Sequence, residues 1–381
     1  MANSNSKANE FITYWNRVIN IWLKGDDGIQ ENALRGKEEC FYKDGKDTTL
    51  NVYIEKEQSY WFKDESLRKL LCPIHMPEPY WGDPGCCSIV VVDYNPAGGT
   101  DMNPHTYRGN GVYPVNTMID YVNKESYSKL AKDFPILKAK KELEKDERWW
   151  LRSYGGRQWW RGKIEWMLHL IQPDSEPSKE WPENVSYPFA IELCGWHSPN
   201  WPDNTKAIDD NNDLKESICK WFVNPLLESI EESTSKMAVC VGAQFKPSIL
   251  TKYFDKGNIN ITKDIANFLP IKVTEGVKYI ETVNYKYRIK IMNDNEVSPV
   301  LSKDSMETIN MGVSINKIGK EKETTRYYRV YNVVEKGKNH IILNTFAPGS
   351  NHHPAKEFWE FEKELLRVIK DGEWKKKLEG V

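Results

Sequence analysis

One run constrains this chain more than any other. From Ser88 to Asp101 the sequence reads Ser-Ile-Val-Val-Val-Asp-Tyr-Asn-Pro-Ala-Gly-Gly-Thr-Asp, so four consecutive β-branched residues end abruptly in polar and flexible ones. Such an apolar run is read as a strand covered on both faces, as in a parallel sheet, and ligands in those sheets bind beyond the carboxyl ends of the strands. Asn95 falls at that end. Pro96 stops ladder hydrogen bonding, and Gly98 and Gly99 let backbone N–H groups turn toward a phosphate or a base.

Three further segments repeat the pattern. Phe189 to Cys194 leads into Gly195-Trp196-His197-Ser198-Pro199, Met237 to Val241 into Gly242-Ala243, and His340 to Thr345 into the loop Phe346 to Pro354. Apolar and aromatic positions at spacings of three and four predict helices over about 10–24, 115–130, 162–171, 214–229 and 355–370. Strands alternating with helices predict an α/β fold: a short parallel sheet flanked by helices, its strands opening on one crevice. Residues 272–335 differ, with β-leaning pieces separated by polar turns, and read as a β-rich insertion. The expected organisation is a helical N-terminal extension over 1–80, an α/β core over 81–271, the insertion over 272–335, and the last core strand, loop and helix over 336–381.

Composition narrows the class. At 381 residues and 39% hydrophobic content the chain can bury a substantial core. No apolar run approaches the length of a membrane span and the polar amino terminus lacks a signal-peptide core, so a cytoplasmic protein without a membrane partner is expected. The seven cysteines form no C-x-x-C pair, which predicts reduced thiols, no metal and no cofactor. A net charge of −2 hides a local excess: Lys138 to Lys163 holds nine basic and four acidic residues together with Trp149, Trp150, Trp159 and Trp160. That mixture suits phosphate contact with base stacking, with Arg157, Arg161 and Lys163 as DNA-binding candidates; a solvated helix with a tryptophan packing face is the alternative.

The order of the strand ends resembles the uracil-DNA glycosylase superfamily. Asp93-Tyr94-Asn95-Pro96 is similar to its first motif, in the Asn form of the mismatch and thymine branch, although Asp93 stands where that motif opens with glycine. Val239 to Gln244 is similar to the strand ending in W-G-x-x-A-Q. His340 to Pro348 is similar to the last strand, which in the family leads into an H-P-S-P loop; here the loop reads Phe346-Ala-Pro-Gly-Ser-Asn-His-His-Pro354. The resemblance spans about 81–271 and 336–381 and implies a glycosylase-like three-layer sandwich, a DNA partner, and hydrolysis of the N-glycosidic bond of a flipped base.

It further implies that Asn95 orients the attacking water, that His352 or His353 donates to the departing base or grips a phosphate, and that Asp93 and Asp101 are reserve water activators. Tyr94, Pro96, Gly98 and Gly99 line the first mouth, and Ser350 and Asn351 offer polar and backbone groups in the last loop. Ala97 stands where the uracil-specific branch places a Tyr against the C5 edge, so a C5-substituted pyrimidine fits. Glu192, near the base-reading Asn of that branch, is expected as an ionised acceptor for a cytosine-type amine. Tyr107, Trp196 and His197 are candidate stacking faces, with core packing the alternative for the tryptophan. Two readings follow: a glycosylase for a C5-modified, cytosine-type base in phage defence or repair, or a catalytically inactive module of the same fold that binds single-stranded nucleic acid or a partner protein.

Overall fold

The structure is a computed structural model that describes residues 6–24, 76–93, 121–146, 148, 155–196, 216–242, 262–293, 309–315, 324–347 and 353–374. The described chain divides into two units, one of Met1–Ile164 with Lys179–Thr234 and one of Glu165–Ser178 with Ser235–Val381. The strands used below are β1 (Tyr80–Trp81), β2 (Val90–Asp93), β3 (Phe189–Glu192), β4 (Met237–Val241), β5 (Lys272–Thr274), β6 (Val277–Glu281), β7 (Lys286–Asn293), β8 (Ile309–Ile315), β9 (Thr324–Glu335) and β10 (Lys338–Phe346). The helices are α1 (Lys7–Lys24), α2 (Tyr127–Lys132), α3 (Gly155–Gly162), α4 (Ile164–Ile171), α5 (Asn224–Glu232), α6 (Thr262–Ala266) and α7 (Trp359–Asp371).

The first unit is built around three strands in the order β1-β3-β2. β2 and β3 run parallel, with Val90 opposite Phe189 and Asp93 opposite Glu192, and every residue of both is buried. β1 adds antiparallel to β3. α1 buries the Phe11, Tyr14, Trp15, Val18 and Ile19 stripe that its spacing announces, packing on α5 and on the turn that leads into it, where Tyr14 stacks on Trp221 at 4.1 Å. The Cys219–Val223 turn leading into α5 widens to a π-helix. Pro225, which lacks an N–H and crowds the carbonyl four residues back, accounts for the wider turn.

The second unit is a seven-stranded sheet in the order β4-β10-β9-β8-β7-β6-β5. Only β4 and β10 are parallel; each remaining neighbour pair is antiparallel. The expected short parallel sheet is therefore corrected to a mixed, mainly antiparallel architecture with helices, still of the α/β class. The cause is local. Lys336 and Gly337 both take positive φ, 51° and 76°, and close a two-residue turn that folds β9 back onto β10; Glu275 and Gly276 do the same between β5 and β6. Such turns match the twist of paired strands, so β9, β8, β7, β6 and β5 continue the sheet outward from β10. α6 packs on β8 and β9, and buried Phe361, Leu365 and Leu366 make the inward face of α7. No helix among the described residues is long and apolar enough to cross a membrane.

Candidate functional site

In a parallel pair, residues at the same level point to the same face. The register that sets Asp93 opposite Glu192 thus brings two carboxyl groups together at the carboxyl ends of β2 and β3. The backbone locks this level: Leu193 N–H donates to the Asp93 carbonyl at 2.9 Å and Glu192 N–H to the Pro79 carbonyl at 3.0 Å. A third carboxyl joins from the segment ahead of β1, where Glu78 N–H donates to the Gly195 carbonyl at 2.9 Å. Gly195 is obligatory here, since a Cβ would meet both Pro79 and Trp15 at 2.7 Å.

The counter-charge comes from the turn between α3 and α4. Lys163 is 2% exposed; its Nζ lies 3.9 Å from Asp93 Oδ1, over the Trp159 ring at 3.4 Å and the Trp160 ring at 4.9 Å. Cation–π contact of this kind replaces part of the lost hydration of an ammonium. Glu78, Asp93 and Glu192 are 3%, 8% and 8% exposed. A buried carboxyl set beside other buried acids resists ionising, because an unpaired charge away from water costs several kcal/mol. The strain falls on Glu192: burial foremost, then the Asp93 charge, then Glu78, hold its carboxyl well above the usual range, against the pull of Lys163. These causes favour the neutral form of Glu192, where the sequence reading expects an ionised acceptor. A neutral carboxyl offers one donor and one acceptor. Asp93 Oδ2 and Glu192 Oε2 have no hydrogen-bond partner among the described residues.

Other expected positions fare differently. Tyr94, Asn95, Pro96, Ala97, Gly98, Gly99, Asp101, Tyr107, His197, Ser350, Asn351 and His352 lie outside the described residues. Trp196 is fully buried with its ring 6.5 Å from that of Trp15, a packing position and not an open stacking face. Arg157 is buried and donates to the Ile136 and Lys138 carbonyls, each at 2.9 Å. Arg161 donates to the Lys138 carbonyl at 3.1 Å and lies 3.9 Å from Glu180. Arg148 pairs with Asp146 and Asp133, and Lys138 with Asp146. Much of the basic segment thus turns inward, where charge counts along a sequence cannot see it.

His353 belongs to the second unit. Its ring stacks on Trp166 at 6.0 Å and its Nδ1 is 3.0 Å from the Pro354 carbonyl. Beside it in the same unit is a polar cluster that sequence reasoning missed. Fully buried Glu362 accepts from Trp166 Nε1 at 3.2 Å and from Tyr328 Oη at 3.1 Å, with His169 Nε2 at 4.0 Å. Burial pushes Glu362 up to about 7 against the pull of Arg326 and both donors, and pushes His169 down to about 4. The helical spacing of Trp166 and His169 was the available signal, but nothing near them in sequence announces Glu362. In the first unit Glu78, a lone acid between two prolines, was likewise missed, and Lys163, expected among the DNA-binding residues, is buried beside Asp93 instead.

Among the described residues no group of three His, Cys, Asp or Glu side chains is placed to hold a metal ion. No protein-family model, curated protein or solved structure matches the chain.

Proposed function

We propose that this chain is a DNA N-glycosylase that hydrolyses the bond between deoxyribose and an extruded, C5-modified, cytosine-type pyrimidine, leaving an abasic site, in phage defence or repair. The observation that carries the reading is the buried Asp93–Glu192–Lys163 cluster at the carboxyl ends of two parallel strands, with Asp93 one residue before Tyr94 and two before Asn95. A glycosidic bond broken through a cationic sugar needs a positioned water, negative charge near C1′, and donors or acceptors on the base edge. Asn95 orients the water in this reading. Asp93 supplies negative charge beside it, and Glu192 faces the base. The small Ala97 leaves room for a C5 substituent.

The test is base release by the full-length protein from oligonucleotides carrying uracil, a thymine mismatch, 5-hydroxymethylcytosine or its glucosylated form, read as abasic-site cleavage. Release is expected from the cytosine-type C5-modified bases, and Asn95→Ala should abolish it while DNA binding persists, because the lost group acts in the transition state. No release from any of them by the wild type would turn the reading to a binding module.

A further inference from the structure

The Asp93–Glu192–Lys163 cluster holds more acid groups than it can charge, and the consequence for a departing base is specific. Glu192 is over nine-tenths buried, it faces Asp93 across the parallel register, and its Oε2 is without a partner among the described residues. The groups that act on it are Asp93 from β2, Glu78 from the segment before β1, and Lys163 from the turn after α3. Tyr127 and Cys194, which feel its charge, are themselves held neutral by burial. With the Lys163 Nζ 3.9 Å from Asp93, burial and the neighbouring Asp93 charge favour the protonated form at Glu192.

We infer that Glu192 is a general acid that protonates the departing base, with Lys163 as a positioning residue that stabilises the carboxylate left behind. The inference rests on the glycosylase reading. In the step, the Glu192 O–H bond breaks and its proton bonds to a ring nitrogen or carbonyl oxygen of the base. The C1′–N1 electron pair passes to the base, which departs neutral and leaves a cationic sugar. Water then adds its oxygen to C1′, and the proton it sheds returns to the carboxyl pair, so only water is consumed. A cytosine-type base needs this help, because an exocyclic amine delocalises negative charge less well than the carbonyl of a uracil-type base. Lys163 fits the second role: its Nζ already sits 3.9 Å from Asp93 with two indole rings beneath it.

The experiment is a comparison of leaving groups. Single-turnover base release by the full-length protein is followed across pH on oligonucleotides carrying 5-hydroxymethylcytosine or 5-hydroxymethyluracil, which share the C5 group and differ in the proton the base requires. Glu192→Gln should slow release of the cytosine-type base by about 100-fold or more, the usual scale of acid catalysis, and release of the uracil-type base by less than about 10-fold. The wild-type rate on the cytosine-type base should fall with rising pH as Glu192 ionises, and the Gln variant should lose that limb. Lys163→Met should move the limb to higher pH, since the ammonium favours the ionised form; a purely structural role would not shift it. Equal losses on both bases, or a wild-type rate that does not fall with pH, overturn the general acid while leaving the glycosylase standing. Failure of the wild type to release either base overturns both.

Discussion

Among the described residues each unit buries a glutamate whose carboxyl is pushed toward its neutral form, and the two differ in what surrounds them. Glu362 is enclosed by donors: Trp166 serves one oxygen and Tyr328 the other. Glu192 is enclosed by acids, with Oε2 left without a partner among the described residues. A satisfied buried network rigidifies a core, whereas an unsatisfied one costs stability that evolution keeps only for a reason. The contrast places Glu362 in the framework of the core and is what makes Glu192 the group chosen for the acid role proposed above.

The harshest way to break the contrast is to delete the satisfied partner. Glu362→Ala strands the Trp166 N–H and the Tyr328 hydroxyl in the core, each a penalty of about 1–3 kcal/mol, and opens a cavity. Urea or thermal unfolding should show a loss of about 3–5 kcal/mol. A loss below about 1 kcal/mol would mean the network is dispensable.

The pH dependence sharpens the same point, because Glu362 and His169 oppose each other. Glu362 rises from 4.5 to about 7, so its contribution is full below its unfolded value and is lost as pH rises through that window. His169 falls from 6.5 to about 4, so its contribution is full above its unfolded value and is lost as pH falls. Between the two unfolded values these slopes cancel, and wild-type stability is nearly flat on their account. Single variants should unmask them. Glu362→Gln leaves His169 alone, and stability should climb by about 3 kcal/mol from the histidine's folded value to its unfolded one; His169→Gln should show an opposite slope of similar size. Denaturation midpoints that move together in both variants would refute the pairing.

Arg157 brings the comparison back to the first unit. Its guanidinium serves two backbone carbonyls, so Arg157→Ala should cost about 2 kcal/mol of stability. It should leave the salt dependence of DNA binding unchanged. A phosphate contact would instead lower the slope of log affinity against log salt by about one. A reduced slope with intact stability would return Arg157 to the DNA-binding face.

These residues also show what could be read from the sequence. The apolar runs at Ile89, Phe189, Met237 and His340 are all strands, since short β-rich runs bounded by turn residues have few other uses. Their pairing direction was not legible: β9 and β10 are buried along most of their length and antiparallel, and a strand covered on both faces reads alike in either direction. Asp93 and Glu192 were visible as strand-end acids. That they share one level, with Lys163 and Glu78 closing on them, depends on a register that no local pattern encodes. Charge counting over Lys138–Lys163 could not see the inward turn of Arg148, Arg157 and Arg161, because it sums charges without the direction each side chain takes.

The smallest effect tests the assignment of Glu192 most directly. At about pH 3 the carboxyl is neutral in the folded chain and in nearly all of the unfolded one, and glutamine is its near-isostere with a donor beside Asp93. Glu192→Gln should then change stability by no more than about 0.5 kcal/mol. As pH rises, the unfolded wild-type chain ionises Glu192 while the folded one resists, so the wild type loses stability that the variant keeps. The variant should therefore become the more stable protein above the ordinary glutamate range, even though the proposed acid role makes it the slower one in base release. A group placed for packing would give the reverse, a variant weaker at every pH, and matched unfolding curves of the two proteins across pH separate the cases.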